Sequence, residues 1–186
     1  MKKILSISLI LIFQIFILNE FLFSQYINPY LYIIIILFEP IQTNKIKLLL
    51  YGFIIGLIID IGSITFQDYG PVHAISTLTL AYFRYRFIRL ISVRGYNLQD
   101  FEFNYLNFYR LSLYLISATI FHHFLLFYFS YLSNIFYTLK ITFFSSFFTI
   151  IILICSYYIF YKRKWKILLF QIDSFLCTLL LYFSFL

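Results

Sequence analysis

Four groups of side chains carry titratable chemistry in this chain: Asp60, His73, the adjacent pair His122-His123, and the arginines Arg84, Arg86, Arg89 and Arg94. A carboxylate near an imidazole can hold or pass a proton, or it can lock two helices together as a buried pair. Asp60 and His73 flank the polar segment Thr65-Phe66-Gln67-Asp68-Tyr69-Gly70-Pro71. A tight turn there, with Pro71 at the first position of the following helix, brings the two to one level. Two readings stand for this group, which includes Ser63, Asp68 and Gly70. One is an extracytoplasmic partner or proton site, and the other is a structural pair fixing two helices. His122 and His123 project about 100° apart on a helix, so they address one small ligand poorly. One is expected to hydrogen-bond inside the bundle and the other to face a groove or partner. A metal ion would need more ligands than Asp60 and His73 add, and no metal is expected. Cys155 and Cys177 lie in apolar runs with no Cys-x-x-Cys or Cys/His spacing.

Catalytic templates are missing from the sequence. It contains no G-x-S-x-G, H-E-x-x-H, P-loop or G-x-G-x-x-G pattern. Paired carboxylates on one apolar helix, which a phospholipid-modifying enzyme would need for its metal, are also missing. The expectation is a protein that is not an enzyme and needs no cofactor.

The elements that would position these residues follow from composition. The chain has 186 residues, 63% hydrophobic and 11% charged, with mean hydropathy +0.93; soluble domains carry about a quarter charged residues. A bilayer-spanning helix uses about 20 residues, so the length accommodates about six or seven spans and no sizeable soluble domain. The fold class expected is all-α, a polytopic integral membrane protein forming a single domain. Apolar runs fall at 4–23, 28–41, 46–64, 71–91, 109–132 and 138–161, with an apolar tail at 167–186 that holds Gln171 and Asp173. The run at 28–41 is short and bounded by Pro29 and Glu39-Pro40, so it either spans with local thinning or is partly re-entrant. No alanine or glycine precedes Gly52 to form a signal-cleavage site, so the first run is expected to stay as a helix. The tail reads either as a seventh span or as an interfacial segment. The aromatic content, 26 Phe and 18 Tyr, is read as codon drift on lipid-facing positions and not as a ligand cage.

Charge placement sets the orientation. If the first six runs cross, 13 of the 14 Lys and Arg residues fall on one side, and Lys140 alone falls on the other. By the positive-inside rule the N-terminus is cytoplasmic. The formal charge of +7 is therefore read as a statement of orientation, and no nucleic acid is expected. Arg84, Arg86, Arg89 and Arg94 read as a cytoplasmic basic loop that attracts anionic lipid headgroups or docks a cytoplasmic protein.

In the third run Gly52, Gly56 and Asp60 recur every four residues and share one helix face. The glycines leave room for a neighbouring helix, and Asp60 stands about 20 Å along the helix from its cytoplasmic entry. The stretch Gly52 through Phe83, GFIIGLIIDIGSITFQDYGPVHAISTLTLAYF, resembles the central signature of the rod shape-determining MreD family, with looser agreement over 94–126. The matching positions are Gly52, Gly56, Asp60, Gly70, His73 and Tyr82, and the His122-His123 pair is similar to one branch of the family. The resemblance implies a small bundle like the substrate-binding S-component of energy-coupling-factor transporters. It also implies a non-enzymatic role in the bacterial inner membrane beside an MreC-like single-span partner, and through it MreB, RodA and a penicillin-binding protein. The alternative is a vitamin-binding S-component or another small transporter. The first run lacks the A-x-x-x-A docking face of the S-components, and no repeated halves or broken helices are evident.

Overall fold

A computed structural model describes residues 2–19, 26–63, 69–92, 103, 106–131 and 134–159. These residues are all-helical, with no β-strand among them. Helix α1 (Lys2–Phe13) runs into a wider π-helical turn, Gln14–Leu18. A short 3-10 turn, Leu31–Ile33, leads into α2 (Ile34–Leu37). The longer helices are α3 (Lys45–Gly62), α4 (Val72–Ile91), α5 (Phe108–Ser130) and α6 (Ile135–Tyr157). The chain divides into two units, Met1–Leu153 and Ile154–Leu186. The second contributes only 154–159 to the described residues, and the tail at 167–186 lies outside them.

Three asparagines set helix starts. The side chains of Asn44, Asn107 and Asn134 accept the backbone N–H of Ile46 at 2.8 Å, Arg110 at 3.0 Å and Tyr137 at 3.0 Å, each satisfying a donor that a helix leaves unpaired at its first turn. Before α4 the chain turns through Gly70, whose φ of +74° lies in the left-handed region open to glycine. Pro71 sits at the cap position, with α4 beginning at Val72.

Helices α5 and α6 are long and apolar enough to cross a membrane. Helices α3 and α4 hold three charges each, Lys45, Lys47 and Asp60 in one and Arg84, Arg86 and Arg89 in the other, which keeps them from meeting that description by length and composition. Helix α6 has an inverted polarity. Thr138, Thr142, Ser145 and Thr149, spaced four, three and four apart, are buried, whereas Phe136, Phe143 and Phe147 are 82%, 69% and 56% exposed. A surface helix of a water-soluble protein turns its apolar stripe inward.

The run at 28–41 is not one helix. Pro29 and Pro40 have no backbone N–H and hold the residues before them out of helical conformation, so only Leu31–Leu37 between them is helical. The flanking backbone is answered by side chains of other elements. The Gln14 carboxamide accepts from Leu31 N at 2.7 Å and Tyr32 N at 3.4 Å and donates to the Pro29 carbonyl at 3.2 Å. It thereby serves as the N-cap that the short helix lacks. Ser145 Oγ accepts Asn28 N–H at 2.9 Å and donates to the Tyr26 carbonyl at 3.2 Å, and Thr149 Oγ1 accepts Tyr30 N–H at 3.1 Å. At the far end Tyr114 donates to the Leu37 carbonyl at 2.8 Å. Tyr85 donates to the carbonyls of Ile41 at 2.8 Å and Thr43 at 3.2 Å.

Replacing Gln14 with Leu removes the buried partner of the Leu31 and Tyr32 N–H groups and of the Pro29 carbonyl. The expected loss of stability is about 1–3 kcal/mol. Thr79→Val, which deletes only a hydroxyl returning to the Ile75 carbonyl within its own helix, should stay within about 0.5 kcal/mol of the parent. Thermal unfolding of the purified proteins in one detergent compares the two.

Candidate functional site

The site grows from the contact between α3 and α4. A Cβ built on Gly56 would stand 2.5 Å from Ala74 Cα and 2.6 Å from the His73 carbonyl oxygen. One on Gly52 would stand 3.0 Å from the Thr77 carbonyl oxygen and 3.1 Å from Ala81 Cβ. The two backbones thus approach as closely as they do because both positions lack side chains. Gly62 meets the π-helical turn after α1 instead, with the Ile15 side chain 2.6 Å from its built Cβ.

One helical turn beyond Gly56, the buried Asp60 points at the start of α4. Its Oδ1 accepts His73 N–H at 3.0 Å and its Oδ2 accepts Ala74 N–H at 2.8 Å. No side chain of α4's own cap residue, Pro71, makes this bond. Asp60 therefore supplies the negative charge and the acceptors that a helix N-terminus favours, delivered from the neighbouring helix. The expected Asp60–His73 pair is thus corrected. The carboxylate meets His73 through its backbone, and the imidazole turns to another partner.

That partner is Tyr32. Its hydroxyl lies 2.8 Å from His73 Nδ1 and 3.1 Å from His122 Nε2, and Ser76 Oγ lies 3.3 Å from the same His122 nitrogen. The His73 carbonyl accepts from Ser76 at 3.1 Å and from Thr77 at 2.6 Å. His123 turns to a separate chain. Its Nδ1 is 3.0 Å from the Thr119 carbonyl and its Nε2 is 3.0 Å from Thr149 Oγ1. The carbonyl only accepts, so Nδ1 carries the proton and Nε2 accepts from Thr149, which in turn accepts Tyr30 N–H. The Tyr30 ring packs on all three imidazoles, at centroid distances of 5.1 Å to His73, 6.5 Å to His122 and 5.3 Å to His123. Both histidines of the pair are fully buried, so the expectation that one would face a groove or partner is corrected. The extended residues 28–30 insert Tyr30 between the helices and occupy that place.

The arginines also need correction. Arg84 lies within α4 and is fully buried, not in a solvent-facing loop. Its Nε donates to the Leu37 carbonyl at 3.3 Å, its Nη2 donates to the Glu39 carbonyl, and its guanidinium carbon is 5.9 Å from the Phe103 ring centre. Arg86 and Arg89 also belong to α4, with Arg86 4.9 Å from the Phe83 ring. Glu39 pairs with Lys3 at 2.6 Å and accepts from Thr43 at 3.2 Å. Tyr82 is exposed beneath the Lys45 ammonium at 4.5 Å. Ser63 donates to the Ile59 carbonyl of its own helix at 2.7 Å. Asp68 and Arg94 lie outside the described residues. Among the described residues no three His, Cys, Asp or Glu side chains form a group suited to a metal ion.

No protein-family model, curated protein or solved structure matches the chain. The arrangement has to be read from its own geometry. Tyr30, Tyr32, Gln14 and Thr149 were not singled out in the sequence, because aromatic residues are too abundant here to stand out. Gln14 inside an apolar run, and Ser/Thr at 138, 142, 145 and 149 in helical register, were the available signals.

The glycines provide a graded test. Gly56→Ala should destabilise by about 1–3 kcal/mol through overpacking against α4 backbone. Gly52→Ala should change stability far less, because its contacts are looser and alanine gains about 1 kcal/mol of helix propensity. Melting temperatures of the two variants in the same detergent give the order.

Proposed function

We propose that the chain is a multi-pass protein of the bacterial inner membrane with a cytoplasmic N-terminus. In this reading it is a non-enzymatic scaffold of the MreD kind, which holds an MreC-like single-span protein in the cell-wall elongation machinery and so helps maintain rod shape. The observation that carries the reading is the α3–α4 seam, where Gly52, Gly56, Asp60 and the start of α4 interlock through the residues of the family-like stretch. A rigid pair of helices offers a fixed outer surface against which a partner's membrane-proximal segment can pack. Six crossings are supported by the placement of 13 of 14 basic residues on one side. The inward hydroxyls and outward phenyl rings of α6 favour a lipid setting. Arg86 and Arg89 at the end of α4, with Lys45 and Lys47 at the start of α3, suit anionic headgroups on the cytoplasmic side.

A second reading, a substrate-binding S-component or another small transporter, draws on one specific observation. The segment 26–43 is broken, and its surroundings carry imidazoles, hydroxyls and a carboxylate, as at transporter binding sites. Vitamin binding by the purified protein would favour it.

For the scaffold reading, Asp60→Ala should reduce recovery of the MreC-like protein in affinity capture by about tenfold or more, which is the effect of about 1.4 kcal/mol at the interface. Asp60→Asn, which keeps an acceptor for α4, should retain a measurable part of the capture. Undiminished capture by Asp60→Ala at normal membrane abundance would sink the proposal.

A further inference from the structure

The Tyr32 hydroxyl has one proton and stands between two imidazole nitrogens, His73 Nδ1 at 2.8 Å and His122 Nε2 at 3.1 Å. It can donate to only one of them, so the other must donate to it. Two arrangements therefore satisfy the same heavy-atom positions. In the first, Tyr32 donates to His73 Nδ1 and His122 Nε2–H donates to Tyr32 Oη. In the second, His73 Nδ1–H donates to Tyr32 Oη and Tyr32 donates to His122 Nε2. Ser76 donates its one proton to the His73 carbonyl, so it accepts from His122 Nε2–H in the first arrangement. In the second it keeps that carbonyl bond and gives up the longer 3.3 Å contact to His122, which weights the pair toward the first arrangement without forbidding the second. His123, in contrast, is fixed in one tautomer by the Thr119 carbonyl.

A second, independent observation concerns the end of the chain of bonds. His122 Nδ1 is buried and has no hydrogen-bond partner, and neither has the Thr119 hydroxyl, which lies three residues earlier on the same face of α5. A buried polar atom left open in this way is costly unless a partner reaches it. The titratable groups around the chain are Tyr30 from the extended segment, His123 from α5, and Asp60 from α3. The last reaches His73 through its backbone. The α6 side chain in contact with this centre is Thr149, which does not titrate.

We propose that His122, Tyr32 and His73 form a proton relay inside the bundle, with His122 Nδ1 as one terminus and His73 Nε2 as the other. This role is separate from the scaffold reading and does not depend on it. In the forward step water gives a proton to His122 Nδ1, forming that N–H bond. His122 Nε2 then gives its proton to Tyr32 Oη, the Tyr32 O–H proton passes to His73 Nδ1, and His73 Nε2 releases its proton to water. One proton enters and one leaves, no charge remains, and His73 and His122 have both exchanged their Nε2–H form for the Nδ1–H form. The ligand of the site is the proton, carried to and from its termini by water.

The two imidazoles must change tautomer together, and this separates a relay from a static hydrogen-bond network. The full-length protein, labelled with nitrogen-15 histidine and held in lipid nanodiscs, is read by imidazole nitrogen NMR over a series of temperatures at neutral pH, because the two neutral arrangements differ by no net proton and their balance shifts with temperature and not with pH. His73 and His122 should each show both tautomers, in matching fractions that move together, while His123 stays in the Nδ1–H form. In Tyr32→Phe the matching should vanish and His123 should be unchanged, which also shows that the bundle is intact. If that variant does not fold, the matching fractions in the parent protein decide alone. A single fixed tautomer at either His73 or His122, or fractions that move independently in the parent, would overturn the relay.

Discussion

A stretch of backbone that is neither helix nor strand persists in a protein interior only where other side chains answer its N–H and C=O groups, and residues 26–30 and 38–43, on either side of the short helix Leu31–Leu37, are such stretches. The answers come from four other elements: Gln14 on the π-helical turn that follows α1, Ser145 and Thr149 on α6, Tyr114 on α5, and Arg84 and Tyr85 on α4. Each bond spans a long sequence separation and fixes a side chain whose helix must then stand at one height and rotation. The two prolines that break the second run thus make it the hub on which the other helices are set. The tyrosines it brings into the centre, Tyr30 and Tyr32, organise the three histidines in turn.

Arg84 is the most demanding of these contacts. A buried guanidinium is stable only when its charge is met, and this one is met mainly by dipoles. The carbonyls of Leu37 and Glu39 lie at the C-terminal end of the short helix, where partial negative charge collects, and Phe103 offers a ring face. The Glu39 carboxylate itself is engaged by Lys3 and Thr43. That arrangement ties the first turn of α1 to the same corner, so the charge on α4, the turn after α2 and the start of α1 form one electrostatic unit.

The sequence made the longer helices legible because each has a mark that local physics reads directly: an asparagine cap, a glycine in the left-handed region, or an apolar run of sufficient length. It also made the α3–α4 seam legible, because two glycines and an acid at four-residue spacing have few other uses. The partners of the histidines were not legible. Tyr32 is one of 18 tyrosines, and nothing in its neighbourhood distinguishes it until the break at Pro29 carries it between α4 and α5. The placement of Arg84 escapes the sequence for a related reason. Three arginines within six residues look like a loop, whereas α4 continues through all of them and rotates only the first into the interior. Spacing gives the face a residue occupies, but the neighbour on that face is set by contacts distant in sequence.

The interior of this bundle is consequently specified by hydrogen bonds more than by apolar burial. In the bilayer setting proposed here the outward phenyl and aliphatic faces find lipid equally well in many helix arrangements, so they select none of them. Selection falls to groups that lipid cannot satisfy: the Asp60 carboxylate, the three imidazoles, the hydroxyls of Ser145 and Thr149, and the broken backbone. Loss of an inward group that bonds across elements, such as the Gln14 carboxamide, the Asp60 carboxylate or the Thr149 hydroxyl, removes a constraint of a kind that an outward phenyl or aliphatic side chain does not supply. The histidine centre shows this dependence most fully. Among the described residues, backbone, hydroxyl and imidazole groups meet there, through Tyr30, Tyr32, Thr149 and the three histidines, and their hydrogen bonds tie the broken segment to α4, α5 and α6 at once.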